Sequence, residues 1–410
     1  MNNIIIKNIG KLYNPIQNKV GIFEIRENCS LIITNGIIQE ICADEIEINA
    51  IRLENYGILD AEGKTVIPGF VDSHAHPIFA ELRDNEFEMR NAGKSYLEIA
   101  ESGGGIKNSV RKLRKLSEEE LYSISLKRIN EFIQYGTTTL EAKSGYGLTH
   151  DDEIKMLKVI KRINKESDID LVPTFLGAHD IPEEFKDNRE EYIYTLINKT
   201  IPFVAKEKLA EACDIFIEKN YYTVEEGRRI LTAAKGNGLK VKIHADQLTC
   251  NGGSELAAEL GALSSDHLEY ISDKAIDEMI KNDVVFNLMP GSSFFIGMSD
   301  YPPARKIIDK GGKIALSTDF NPGTCYCMSL PLIMTISAVY LKMTAEELLW
   351  GATIGGAKAL GKENEIGSIE KRKKADLLIM DIKNISEIPY SMGMNLVKKV
   401  IKNGKLIINN

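Results

Sequence analysis

Residues 66–76 read Val-Ile-Pro-Gly-Phe-Val-Asp-Ser-His-Ala-His. Val66–Asp72 is an apolar run of strand length, and His74 and His76 follow it directly. In extended backbone, residues two apart project to the same side, so the two imidazoles face one point, as metal ligands must. Taken alone, the spacing fits equally a pair of partly buried histidines with no ligand. The rest of the chain decides, because strand-like runs of this kind recur. They fall at Thr137–Lys143, Asp170–Leu176, Ala212–Glu218, Leu239–Ala245, Ser265–Glu269, Val284–Leu288 and Lys313–Thr318. Helical stretches lie between most of them, among them Ser117–Gln134, Asp151–Glu166, Thr223–Gly236 and Asp273–Asn282. Ser117 with Glu120, and Thr223 with Glu226, have capping-box spacing. Eight strands alternating with helices predict an α/β fold of the (β/α)₈ TIM-barrel type. A doubly wound open sheet is the competing arrangement.

Outward from the barrel, both ends of the chain read differently. Asn2–Ile6, Cys29–Thr34, Ile37–Cys42 and Thr65–Ile67 at one end, and Ala375–Met380 and Val397–Ile408 at the other, are strand-like. Asn35-Gly36 and Asn403-Gly404 are hairpin turns. Neither end holds a comfortable core alone. The expectation is a small β-sandwich domain from residues 1–65 plus 366–410, with the barrel at 66–365.

The 410 residues carry 51 Lys and Arg against 59 Asp and Glu, a formal charge of −8, which argues against general nucleic-acid binding. Charged residues at 27% and hydrophobic residues at 43% exclude disordered, collagenous and coiled-coil classes. The apolar stretch around Leu330–Leu341 is interrupted by Thr335 and Ser337 and falls short of the roughly 18 residues a membrane span needs. Met1–Gly10 has no long apolar core of a signal peptide. Six Cys in so long a chain suggest a reducing cytoplasm rather than a disulfide framework.

In a (β/α)₈ barrel the active site lies at the C-terminal ends of the strands. His74 and His76 follow the first strand, His179 the third, His244 ends the fifth, His267 lies in the sixth and Asp319 ends the eighth. Only His150, at a helix start, stands apart, as a surface or capping residue. His74, His76, His244 and Asp319 make a His₃Asp set suited to Zn²⁺ or another first-row ion such as iron. An ion with positions left for water lowers that water's pKa toward about 7. Arg83, a short loop beyond the histidine pair, either holds a substrate carboxylate or forms a surface ion pair. Tyr146, in Lys143-Ser144-Gly145-Tyr146-Gly147, either faces a ligand or packs. Lys143 is a remote candidate for a carbamylated second-metal ligand. Gly103-Gly104-Gly105 lacks the Lys-Ser/Thr of a phosphate loop and reads as a flexible loop near the mouth. Cys325-Tyr326-Cys327 lacks the usual zinc spacing and reads as free thiols, with sensitivity to oxidation as a weak expectation.

Ile67 through His76 resembles the first-strand motif of the amidohydrolase superfamily, and Ala375-Asp376-Leu377 with the Asn403-Gly404 strand resembles its C-terminal β segment. Within that superfamily the chain resembles the imidazolonepropionase family across essentially its whole length. The segments that carry this likeness are Arg83–Arg90, Ser102–Ile106, Glu141–Leu148, Ile243–Gln247, Ser265–Leu268 and Ser317–Thr324. The resemblance implies metal-dependent hydrolysis of the cyclic amide of 4-imidazolone-5-propanoate to N-formimidoyl-L-glutamate. It implies one Zn²⁺ or Fe³⁺ ion per subunit on His74, His76, His244 and Asp319. Arg83, Tyr146, His179 and Gln247 would contact substrate, and Asn321, Gly323 and Thr324 would line the pocket near the product. It also implies a homodimer. Chemically, Arg83 suits the propanoate carboxylate, His179 would donate to a developing oxyanion, and His267 and Asp319 would move the proton. Some family members carry Glu where this chain has Gln247, which cannot shuttle protons. The alternatives are another mononuclear amidohydrolase, a deaminase or a dihydropyrimidinase-like enzyme, and a non-catalytic scaffold on the same fold.

Overall fold

The computed structural model describes residues 3–42, 55–94, 98 and 104–410; Ser102 and Gly103 lie outside the described residues. The chain begins with β1 (Ile4–Pro15), β2 (Phe23–Thr34), β3 (Ile37–Cys42), β4 (Gly57–Asp60) and β5 (Thr65–Pro68). It continues through β6 (Phe70–Asp72), β7 (Thr137–Lys143), β8 (Asp170–Ala178), β9 (Ala212–Ile217), β10 (Lys240–Ala245), β11 (Ser264–His267), β12 (Val285–Leu288) and β13 (Ile314–Leu316). It ends with β14 (Leu377–Met380), β15 (Val397–Lys402) and β16 (Lys405–Asn409).

Strands β6 to β13 pair in sequence order, all parallel, with helices between them. This is the (β/α)₈ barrel. The strands read as near-continuous buried runs, as parallel strands covered on both faces must. Ser117 and Thr223 form reciprocal capping boxes with Glu120 and Glu226, so the helices Glu118–Phe132 and Val224–Gly236 start where the spacing predicts. Thr149, not His150, caps the helix His150–Glu166. His150 instead lies against the Phe203 ring and bonds Thr200.

β6 and β13 do not pair along their own lengths. The barrel closes just beyond them, where Asp319 N–H donates to the His74 carbonyl (3.0 Å) and His76 N–H donates to the Phe320 carbonyl (2.8 Å). The seam is thus made by the residues that carry the chemistry.

The run Val66–Asp72, expected as one strand, divides at Gly69. Thr65–Pro68 belongs to the terminal sheet, pairing antiparallel with β14 and parallel with β1. Phe70–Asp72 belongs to the barrel. Two facts force the break: proline brings no N–H to a ladder, and a Cβ at Gly69 would lie 2.3 Å from Thr138 Oγ1. The terminal sheet runs β16-β15-β14-β5-β1-β2-β3, with β4 also on β1, and encloses its own core around Ile6, Leu31, Ile33, Val66, Leu377 and Ile379. Both Asn-Gly turns have positive φ at both residues, the conformation of a tight two-residue hairpin.

Candidate metal centre

The C-terminal ends of β6, β10 and β13 bring His74, His76, His244 and Asp319 together, and all four are buried. The Nε2 atoms of His74 and His76 lie 3.2 Å apart, and those of His76 and His244 3.4 Å apart. Asp319 Oδ1 is 3.6 Å from Nε2 of both His74 and His76. Burial holds the His74 and His76 rings neutral, pushing their pKa values well below normal. His74 Nδ1 is 2.6 Å from Asp266 Oδ2, so its proton sits there and Nε2 is a bare lone pair. His244 Nδ1 faces Asp214 Oδ2 at 3.0 Å, off the line of a good hydrogen bond. The rings therefore aim lone pairs at one point, where a single N–H on His76 could satisfy only one neighbour. A cation fits this donor set; a hydrogen-bond network does not. Burial also raises Asp319 to about 7, a cost that a cation beside it would relieve.

Beneath the donors lies an ionic layer that sequence reasoning did not assemble. Lys143 Nζ contacts Asp214 Oδ2 at 2.6 Å and Glu141 Oε2 at 2.9 Å. Lys242 Nζ contacts Glu141 Oε2 at 2.8 Å and the Ser73 carbonyl at 2.7 Å. Asp266 Oδ2 lies within 4 Å of both ammonium groups. Thr174 and Ser264 hydroxyls donate to Glu141 and Asp266, each at 2.5 Å. Two ammonium groups face three carboxylates, so one negative charge is left over below the donor set. The signal was present as charged residues two apart within otherwise apolar strands: Glu141 with Lys143, and Lys242 with His244. Lys143 is corrected as a second-metal candidate. Its carboxylate neighbours raise its pKa, and a locked ammonium has no lone pair for carbamylation.

The predicted substrate residues flank the same mouth. The Tyr146 ring centroid is 5.5 Å from that of His179, which in turn stacks on His76 at 5.3 Å. Burial pushes the Tyr146 phenol up, so it stays protonated. His179 Nδ1 donates to the Gly145 carbonyl at 3.0 Å, and burial lowers its pKa to about 3. The neutral ring then carries its hydrogen on Nδ1 and offers Nε2 as an acceptor. The expected oxyanion donor is, in this geometry, an acceptor.

His267 is buried, with Nδ1 unpartnered and its ring centroid 5.4 Å from both His74 and His244. His267, Leu268 and Asp319 all hold left-handed backbone, strain that concentrates at the mouth. Gln247 is half-buried on the loop after β10. Glu269, missed from sequence, is a buried carboxyl raised to about 8 by burial, with Ser293 donating to one oxygen at 2.7 Å.

Asn321, Gly323 and Thr324 form a tight turn. Asn321 Oδ1 accepts from Gly323 N–H (2.8 Å) and Thr324 N–H (2.7 Å), while Nδ2 donates to the Asp319 carbonyl (2.6 Å). Arg83 lies against Gly323, its Nε bonded to Glu86 Oε2 at 2.9 Å. Gly105, expected in a flexible loop, is fixed by donating to the other Glu86 oxygen at 2.9 Å. Burial raises both Cys325 and Cys327, the latter to about 11, which disfavours thiolate and so argues against easy oxidation. A cleft of about 770 Å³ is lined in part by Glu218, Tyr221 and Thr249, on the loops after β9 and β10.

A sequence profile of the amidohydrolase family matches residues 65–407. The chain belongs to the amidohydrolase family. Within it, the chain is 44% identical over 411 residues to the imidazolonepropionase of Clostridium tetani (strain Massachusetts / E88), covering 99% of this chain and 98% of that one. It is 43% identical over 396 residues to the imidazolonepropionase of Geobacillus thermodenitrificans (strain NG80-2), covering 96% and 93%. Among solved structures, E. coli guanine deaminase superposes with a TM-score of 0.76 at 16% identity, over 99% of this chain and all of that one. A zinc-bound adenosine deaminase from Xanthomonas campestris gives 0.75 at 17%, covering 99% and 93%. At such identities these deaminases share the amidohydrolase fold and nothing finer is drawn from them. Membership of this family and the clustered histidine and aspartate donors support a bound metal ion, and no helix among the described residues is long and apolar enough to cross a membrane.

Proposed function

We propose that the chain hydrolyses the ring amide of 4-imidazolone-5-propanoate to N-formimidoyl-L-glutamate, a step of histidine degradation. The observation that carries this reading is near-full-length identity of 42–45% to curated imidazolonepropionases. Arg83, packed on Gly323 in the turn that begins at Asp319, supports it, because the substrate pairs a carboxylate with a cyclic amide.

His74, His76, His244 and Asp319 would hold one Zn²⁺ or Fe³⁺ ion, which would supply Lewis acidity and lower the pKa of water beside it. The chain's own residues do the rest. Arg83, with Nε held by Glu86, turns its remaining N–H groups to the propanoate. Tyr146, protonated, donates a hydrogen bond to substrate. His179 Nε2 accepts one from a ring N–H. Water adds its hydroxyl to the carbonyl carbon, the ring C–N bond breaks, and the proton passes through His267 and Asp319 to the leaving nitrogen. These two act as a coupled pair. Gln247 binds substrate without moving protons, and Asn321, Gly323 and Thr324 line the product side. The enzyme works in the cytoplasm as a homodimer, with residues 1–65 and 366–410 as a small β domain beside the hydrolase barrel.

Freshly prepared imidazolone propanoate, incubated with metal-quantified protein, should be consumed with formimidoylglutamate as product. Ammonia release from purines or pyrimidines, with imidazolone propanoate untouched, would overturn the reading in favour of a deaminase.

A further inference from the structure

Arg83 and Arg90 stand at the two ends of one short helix, Asp84–Asn91, and both reach Gly323. Arg83 packs its guanidinium where a Gly323 side chain would be: a Cβ there would lie 2.6 Å from Cζ and Nη1. Arg90 Nη1 donates to the Gly323 carbonyl at 3.2 Å. The Arg90 guanidinium also lies against a packed pair of rings, 5.9 Å from the Phe87 centroid and 5.8 Å from that of Phe295, which are themselves 5.0 Å apart. Its Nη2 is buried with no hydrogen-bond partner. Gly323 sits in the Asn321-pinned turn that begins at Asp319. A continuous set of contacts therefore runs from a metal ligand, through the turn, to the guanidinium that faces substrate. Glu86 pairs with Arg83 and acts on Arg90 only through its field, so two guanidinium groups stand near one carboxylate and leave a net positive charge for an anion to cancel.

We propose that Arg90 is a positioning residue for carboxylate recognition, fixing Gly323 and through it the seat of the Arg83 guanidinium at a set distance from the metal centre. This rests on the reading of Arg83 as the carboxylate-binding group. Arg90 has no part in the chemical step. It acts on the grip for the substrate's acidic side chain, and so selects for substrates that carry one at the right reach.

The test uses the metal-loaded enzyme and three variants, Arg90→Met, Arg83→Met and the double variant. Each is assayed with imidazolone propanoate and with its neutral methyl ester. Arg90→Met should raise KM for the acid about tenfold with kcat within twofold. It should leave kcat/KM for the ester, the bound metal and the melting temperature unchanged. In the Arg83→Met background, Arg90→Met should add nothing, because its route to substrate is gone. Arg90→Lys, which keeps a donor, should recover part of the loss. An additive double variant would overturn the positioning role in favour of direct contact. Equal losses on acid and ester would reduce Arg90 to a packing residue. Should Arg83→Met leave KM for the acid unchanged, the carboxylate reading itself fails; should Arg83→Met raise KM while Arg90→Met does not, only the present inference fails.

Discussion

The donor set at the barrel mouth and the ionic layer beneath it are both buried, and they meet on β10, where Lys242 stands two residues before His244. Their hydrogen bonding differs. In the lower layer Lys143, Lys242, Glu141, Asp214 and Asp266 contact one another at salt-bridge distances, with Thr174 and Ser264 filling remaining positions. In the upper set Nε2 lone pairs converge, and the Nδ1 atoms of His76 and His267 have no partner. The lower layer is complete as protein. The upper one is completed by something the chain binds. Burial therefore means stability below and reactivity above, and the two respond differently to substitution.

The largest effect should come from above. His76→Ala should cut kcat/KM by about 10³-fold or more, the scale of losing an electrostatic partner of the transition state, with bound metal lost and the unfolding midpoint in urea little changed. A large fall in stability would show that the mouth also holds the fold. Lys143→Met should do the reverse in kind. It strips Asp214 of its ammonium partner and leaves Glu141 to Lys242 alone, and breaking a buried pair costs about 3–5 kcal/mol, to be read from urea denaturation of the metal-free protein. Asp214→Asn probes the join between the two layers. It keeps the shape but weakens the hold on His244, and should lower metal affinity about 10–100-fold by chelator competition. An unchanged affinity would disconnect the layers.

The smallest effect is a pH slope. Glu269 keeps its proton to about pH 8 in the folded chain, whereas an unfolded Glu loses it near 4.3. Between those values unfolding releases a proton, so Glu269 makes the protein less stable as pH rises. Glu269→Gln should flatten the fall in stability between pH 5 and 8, with little difference at pH 5. Equal slopes in both proteins would show that its carboxyl is ionised in the fold.

The barrel was legible because its strands are β-branched runs whose ends carry the histidines, and capping boxes at Ser117 and Thr223 marked helix starts. The break at Gly69 was not legible, since it depends on Thr138 lying across from it. The converging donors His74, His76, His244 and Asp319 could be picked out singly at strand ends. The ionic layer could not be assembled, because Lys143 finds Asp214, and Lys242 finds Glu141, only after the strands pair. The role of His179 likewise turned on one carbonyl, that of Gly145, which no residue type announces.

The seam of the barrel has a consequence for how the protein is made. The first and last barrel strands are joined by bonds at His74, His76, Asp319 and Phe320, so two ligands emerge early from the ribosome and one emerges late. A nascent chain stopped before Asp319 holds an incomplete ligand set and an open barrel. The full donor set and the closed barrel therefore form only once the eighth strand has been made.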